Sequence, residues 1–190
     1  MAAPNVHTVF VPAMCSLFGN LTKRLPKVVI SVAFYGNPQY GSSDQRRRSI
    51  DLYGAVRDTC GKPGAPRGDH VSLYLYQNYA NWVDGVDSNV AHVKQIGELY
   101  STGWNGWDRL VWGVGVGGDP NWKWYPSDPG IAGRGIMQHL LQDEKAKHLR
   151  GTFTWAGEYS EQSCTPAWCV EDMLATTMQG LAWVTGLSRR

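Results

Sequence analysis

Two carboxylates, Asp119 and Glu158, each follow a short apolar segment that is predicted to form a buried strand. If both strands belong to one parallel sheet, their carboxyl ends bring the two side chains to a common crevice. A carboxylate pair in such a crevice is what glycoside hydrolysis requires. The sequence therefore indicates Asp119 and Glu158 as catalytic candidates, with ordinary loop-capping carboxylates as the alternative interpretation.

Aromatic and amide side chains cluster at the same predicted strand ends. Tyr and Trp combine a flat apolar face with a polar group, and amides hydrogen-bond hydroxyl and acetamido groups, so this mixture is typical of sugar-binding surfaces. The nine Trp and nine Tyr residues would also fit a Trp-rich core. The predicted substrate-binding residues are Tyr35, Tyr76, Gln77, Asn78, Trp122, Trp124 and Trp155.

Apolar segments alternate with helical patterns along the chain. Strands are predicted at 27–35, 71–76, 109–116 and 151–155, about 40 residues apart, with an amphipathic helix after each one. This alternation indicates an α/β fold with parallel strands and right-handed crossovers. We expect one domain over residues 1–190: a lead segment with a helix in 1–26, then four βα units in 27–187. The architecture is either a small open sheet or a (β/α) barrel-like, partial TIM barrel, because a full barrel takes about 250 residues.

Several local expectations follow from residue patterns. Residues 6–11 are predicted to form a short strand or extended lead, and Pro12 to open a helix. The strand at 27–35 is apolar enough to be buried on both faces. A polar loop is expected at 81–89, with helices following it and at 131–148 and 170–187.

Composition excludes several classes of function. With 18 Lys+Arg against 16 Asp+Glu, the chain lacks the concentrated basic surface of a nucleic-acid-binding protein. No apolar stretch approaches the length of a membrane helix. The glycine pattern at 113–118 matches a dinucleotide fingerprint, but Asp119 and Pro120 follow it instead of a helix, so we interpret these glycines as packing space. The five histidines lack metal-ligand spacing, and no cofactor or metal is expected.

Two features favour an extracellular, secreted protein. Cys164 and Cys169 are spaced so that a disulfide between them would close a small loop in an oxidising compartment. The run Asn20-Leu-Thr22 is a glycosylation sequon, which is informative if the chain is secreted.

The order of these strands resembles the C-terminal half of a glycoside hydrolase family 18, or chitinase-like, barrel. The segments KVVISVAFYGNPQ, VSLYLYQN, RLVWGVGVGGDP and RGTFTWAGEYS are similar to that family's strands five to eight. The resemblance implies that Trp155 forms the floor of the central sugar subsite and that Tyr76 contacts the N-acetyl group, with Gln77 and Asn78 as its polar neighbours. It also implies an oligosaccharide or chitin-like glycan as the partner.

The family's catalytic pattern, DxxDxDxE, is missing. The nearest string, Asp84-Gly-Val-Asp87-Ser-Asn89-Val-Ala91, has Ala91 where the family has its general acid. Three readings stay open: the C-terminal portion of a longer enzyme, a sugar-binding relative that does not cleave, or an independent α/β fold. The last would be an active glycosidase using Asp119 and Glu158 or an interaction module without sugar chemistry. In a half barrel the open sheet edges predict a homodimer or a missing N-terminal half.

Overall fold

Strands and helices alternate along the whole described part of the chain. The computed structural model describes residues 6–36, 45–78, 85–101, 103–115 and 129–155. The helices are α1 (Val11–Arg24), α2 (Gln45–Cys60), α3 (Gly85–Ser101) and α4 (Pro129–Gln142). The strands are β1 (Ser31–Tyr35), β2 (Leu73–Gln77), β3 (Leu110–Gly115) and β4 (Gly151–Trp155).

The four strands form one parallel sheet in the order β1-β2-β3-β4. Strand order thus follows chain order, and each crossover carries one helix, as in a section of a (β/α) barrel. The register is continuous across the sheet: Tyr35 pairs with Gln77, Gln77 with Gly113, and Gly113 with Phe153. The predicted fold class, an α/β fold consistent with a partial barrel, is confirmed.

Helices cover one face of this sheet, and the opposite face is more exposed. One face carries Phe34, Tyr76 and Trp112, which are fully buried beneath the helices. On β1 the opposite face exposes Ser31, Ala33 and Tyr35 in strict alternation with buried residues. The prediction that this strand is buried on both faces is therefore wrong. Its apolar composition reflects one face packed under the helices plus small or amphipathic residues on the other face, which helices do not cover in the described part of the chain.

Aromatic rings form the centre of the buried layer. Phe34 stacks on Tyr76 with ring centroids 5.4 Å apart and on Tyr100 of α3 at 4.7 Å. The Tyr100 hydroxyl donates to the Ile50 carbonyl of α2 at 3.3 Å. Burial raises the pKa of Tyr100 well above its usual value, so the phenol keeps the proton that it donates. These contacts fix α2 and α3 against β1 and β2.

The first described segment, from Val6 onward, is helical. Pro12 lies in the first turn of α1, as predicted, but Val6–Phe10 forms a single π-helical turn instead of a strand or extended lead. That expectation is wrong because this segment has no strand beside it in the described sheet, whereas it contacts α2. Helical geometry satisfies backbone groups within the segment, which an isolated strand does not do.

Helix α3 begins earlier than its apolar pattern suggests. The predicted loop at 81–89 is wrong from Gly85 onward, because Gly85–Ser101 is helical and Asn89 is buried in its second turn. The Asn89 Nδ2 donates to the Gly85 carbonyl at 2.7 Å, and Asn89 Oδ1 accepts from Asn78 Nδ2 at 2.7 Å. Polar residues therefore face inward here because each finds a partner, a situation that hydrophobic periodicity does not detect.

Helix α4 is shorter than the predicted range 131–148. It ends at Gln142, and Ala146–His148 forms a separate 3₁₀ turn. The Asp143 carboxylate accepts hydrogen bonds from the backbone amides of Lys145 and Ala146, each at 3.0 Å, and pairs with Lys94 of α3 at 2.5 Å. The Lys94 ammonium and these amides hold the pKa of Asp143 down to about 2. Asp143 thus terminates α4 and directs the chain into β4.

A disulfide joins Cys15 of α1 to Cys60 at the end of α2. Both cysteines are buried, and this pairing was not among the predictions from the sequence. The predicted partners Cys164 and Cys169 lie outside the described residues, as does the predicted helix at 170–187. Asn20 of the sequon is exposed on α1. Across the described ranges, no helix combines the length and apolar character needed to cross a membrane.

Candidate functional site

The candidate site is the open face of the sheet at the carboxyl ends of the strands. One register row there contains Tyr35, Gln77, Gly113 and Phe153, one residue from each strand. Tyr35 is 43% exposed, and Gln77 and Phe153 are partly exposed. The row therefore offers two aromatic rings and one amide on a face that helices do not cover in the described part of the chain.

Gly113 makes room for an aromatic ring in this row. A β-carbon added at Gly113 would lie 2.2 Å from the Cζ of Phe153, so the ring of Phe153 lies directly over the glycine. No other residue type fits beneath the ring without displacing it. This confirms the interpretation of Gly113 as packing space, and it shows that the glycine shapes the open face.

Trp155 lies one step beyond this row. Its backbone pairs with Gly115 at the last position of β4. Tyr35 and Gln77, both predicted binding residues, share one face at the carboxyl ends of their strands. The side chain of Trp155 lies outside the described part of the structure, so its place beside them stays a prediction. Tyr35 is also tied to α2, because its backbone amide donates to Ser49 Oγ at 3.3 Å.

Tyr76 and Asn78 lie on the opposite face. Both are fully buried, and the Tyr76 hydroxyl donates to the Gly36 carbonyl at 2.8 Å. Gly36 has φ 144°, a conformation that glycine adopts readily, so this bond fixes the turn that ends β1. Tyr76 and Asn78 therefore stabilise the strand ends from the helix-covered face. In this arrangement they offer no accessible surface to a glycan on the open face.

Four predicted site residues lie outside the described residues: Asp119, Trp122, Trp124 and Glu158. The pairing of Asp119 with Glu158 therefore stays a prediction. The string nearest to the chitinase catalytic pattern has a clear position, since Asp87, Asn89 and Ala91 belong to the first two turns of α3. A helix under the sheet does not place carboxylates at a strand end. Within the described ranges, no group of three or more His, Cys, Asp or Glu residues is arranged to hold a metal.

Phe153 is the site residue that sequence reasoning did not identify. It reads as one more apolar position in a buried strand, and its role depends on the glycine beside it in β3. The signal that could have found it is alternation: residues two apart from Trp155 share its face. The same rule places Gln77, and not Tyr76, on the open face beside Tyr35.

Comparison with known proteins identifies a likeness in fold. No protein-family model matches this sequence, and no curated protein matches it. A crystal structure of catalytic-site mutants of active domain 2 of the thermostable chitinase from Pyrococcus furiosus, complexed with chito-oligosaccharides, matches with a TM-score of 0.62 and 10% sequence identity. The match covers 90% of this chain and 57% of that chain. At this identity the comparison concerns fold alone: the chain shares, as a distant resemblance, the chitinase-like α/β fold, over about half of that domain's length.

Proposed function

We propose that this chain is a chitinase-like domain of four βα units that binds N-acetylglucosamine-type glycans on the open face of its sheet. The observation that carries the proposal is the alignment of Tyr35, Gln77 and Phe153 in one row, with Trp155 one step beyond. Ligands of parallel α/β folds bind at the carboxyl ends of the strands. The fold likeness to a chitinase domain complexed with chito-oligosaccharides supports this class of ligand.

Binding without cleavage is the preferred form of this proposal. Glycoside hydrolysis needs a positioned acid. Residues 85–91 of the string that most resembles the family's acid-bearing strand belong to helix α3, with Ala91 at the acid's position. The alternative is an active glycosidase that uses Asp119 and Glu158. Product formation in the experiment below would favour that alternative and would make Glu158→Gln the next variant to assay.

The proposal is tested by calorimetric titration with chitotriose, combined with a hydrolysis assay on the same samples. The wild type is expected to bind saturably. Trp155→Ala should weaken binding by at least about tenfold, because truncating an aromatic anchor is among the costliest changes at a binding surface. Gln77→Ala should weaken it by about threefold to tenfold through the lost hydrogen bond. Gln95→Ala, at an exposed position of α3, is the matched control and should leave affinity unchanged.

The absence of binding at millimolar chitotriose would contradict the proposed function. Equal losses in Gln77→Ala and Gln95→Ala would also contradict it, since the second residue lies on a helix away from the open face. Calorimetry is preferred to Trp fluorescence because Trp155→Ala removes one of the chain's own fluorophores.

An extracellular location fits this function. The Cys15–Cys60 disulfide and the exposed position of Asn20 in its sequon both suit a secreted protein. We propose that the domain meets its glycan outside the cell.

The open edge of β1 also needs a partner under this proposal. Among the described residues, β1 hydrogen-bonds one strand only, β2. Val29, which lies two residues before β1, is 64% exposed. The fold match covers about half of the chitinase domain, so a second unit of similar size would complete the enclosure. We propose that a second copy of the chain provides it.

Light scattering after size exclusion should therefore give twice the chain mass at high micromolar concentration. Val29→Lys should shift the protein toward the monomer, because a charge at an exposed sheet edge opposes pairing. Val9→Lys, a valine of similar exposure at 59% in the N-terminal helical turn, is the control. A monomer at every concentration would count against the dimer.

A further inference from the structure

A cleft of about 590 Å³ lies at the opposite end of the sheet from the candidate site. It is formed where α3 ends and where the chain enters β3 and β4 at their amino ends. Its volume is within the range of pockets that hold small ligands. The lining residues are Glu98, Ser101, Trp104, Asn105, Trp107 and Lys145.

Two buried hydrogen-bonding groups of residues that line this cleft have no partner among the described residues. The Ser101 Oγ and the Trp107 Nε1 are both buried, and neither is hydrogen-bonded among the described residues. Buried polar atoms without partners are rare in folded proteins because each one costs the free energy of its lost hydration. Here both atoms belong to residues that line the same cleft. A ligand oxygen that reached either atom would supply the partner that the described residues do not.

The indole of Trp107 is held rigidly. The side chain is only 4% exposed, and its ring lies so close to α3 that a β-carbon at Gly97 would fall 1.9 Å from the ring atom Cη2. The Nε1 atom therefore has a fixed position. Ser101 lies one helical turn beyond Gly97 at the end of α3. The cleft is preorganised, which lowers the entropic cost of binding a ligand.

Trp104 provides a second fixed aromatic surface. Its Nε1 donates to the Tyr100 carbonyl at 2.8 Å, and the Arg109 guanidinium lies 4.8 Å from its ring centroid. Both contacts restrain the ring, which is still partly exposed. Together with Trp107 it gives the cleft aromatic surface next to hydrogen-bonding groups, the combination that suits the faces and hydroxyls of a sugar ring.

The charges at the cleft are balanced. Lys145 Nζ lies 3.5 Å from Glu98 Oε1, and both side chains are exposed. Asn105 adds an exposed amide. A carboxylate beside an ammonium gives no net attraction for a phosphate or another strongly charged ligand. The chemistry favours a neutral ligand rich in hydroxyl groups.

We propose that this cleft is a second glycan-binding site, which accepts one pyranose unit at the amino ends of the strands. The partly exposed ring of Trp104 contacts the sugar face, the Ser101 and Trp107 donors bond sugar oxygens, and Asn105 with Glu98 bonds the outer hydroxyls. The site would let the protein hold a polymeric glycan at two separate points.

The test is an NMR titration that follows the indole N–H signals of the full chain. The probes are chitotriose and cellotriose, and the Trp107 and Trp155 signals are assigned with Trp107→Phe and Trp155→Phe. Either probe should shift the Trp107 signal saturably. Asn105→Ala should weaken this response by about threefold to tenfold, as expected for a lost hydrogen bond. Asn20→Ala, also at an exposed asparagine, should not change it.

Each signal reports its own site, so the two proposals can fail separately. A Trp155 shift without a Trp107 shift, with both probes at millimolar concentration, would overturn the second site and leave the proposed function intact. A Trp107 shift alone would support the cleft and contradict the proposed site on the open face. A Trp107 shift that Asn105→Ala leaves unchanged would overturn the assignment of the lining residues.

Discussion

Replacing Cys15 and Cys60 together with alanine is expected to lower the free energy of unfolding by about 4 kcal/mol. The disulfide joins residues 45 positions apart and connects α1 to α2. Its loss releases a long loop in the unfolded chain, and the entropy gained there favours unfolding. Both side chains are buried, so truncating them also removes packing. Urea unfolding of the double variant and of the wild type measures the difference.

The same experiment contains its own control. Dithiothreitol should shift the wild-type unfolding midpoint toward that of the double variant, and it should leave the double variant unchanged. If the reductant does not affect the wild type, the bond does not contribute to stability. If it shifts the double variant as well, another cysteine pair is contributing, and Cys164 and Cys169 would be the next pair to replace.

The layout of the sheet was predictable from the sequence because buried strands leave a strong local signal. The run GTFTW was assigned as β4 with the bounds that the structure gives it, Gly151–Trp155. Strands β1, β2 and β3 were placed correctly in order and within a few residues at each end. Such segments are short, apolar and bounded by glycine, proline or polar residues, so neighbouring elements hardly change their assignment.

Which face a strand residue occupies was not predictable in the same way. A run such as VSLYLYQN alternates two sets of residues that are both apolar or aromatic, so its pattern does not distinguish the helix-covered face from the open one. The structure resolves this through register: Phe34, Tyr76 and Trp112 pack inward together, and Tyr35, Gln77 and Gly113 share the other face. Tyr76 and Gln77 are neighbours in the sequence, yet they lie on opposite faces of the sheet and therefore have different roles.

Contacts between distant segments could not be predicted from the sequence either. Cys15 and Cys60 form a disulfide because α1 packs on α2, and nothing in their local sequence indicates that contact. The cleft beside Trp107 depends on the small size of Gly97, one helical turn before the end of α3. The two Trp residues between Gly103 and Asp108 were visible as a cluster, but only packing shows that the Trp107 N–H has no partner within the described ranges.

Tyr76→Ala is expected to lower the free energy of unfolding by about 3–5 kcal/mol, the usual cost of deleting a large buried aromatic side chain. The ring is fully buried and stacks on Phe34 at 5.4 Å, and its hydroxyl holds the Gly36 carbonyl. Tyr76→Phe keeps the ring and removes the hydroxyl. It should cost about 1–2 kcal/mol, because a buried carbonyl loses its donor.

The milder variant separates support of the fold from contact with the glycan. Tyr76→Phe should bind chitotriose with wild-type affinity, since the phenol faces the helices. Tyr35→Phe makes the same chemical change on the open face and should do the reverse, leaving stability unchanged and weakening binding by about threefold. Urea unfolding and calorimetric titration of the two variants provide the comparison. A Tyr76→Phe protein that keeps its stability and loses chitotriose affinity would show that the phenol contacts the N-acetyl group directly, as the family resemblance implies, and that this strand end rearranges when the sugar binds.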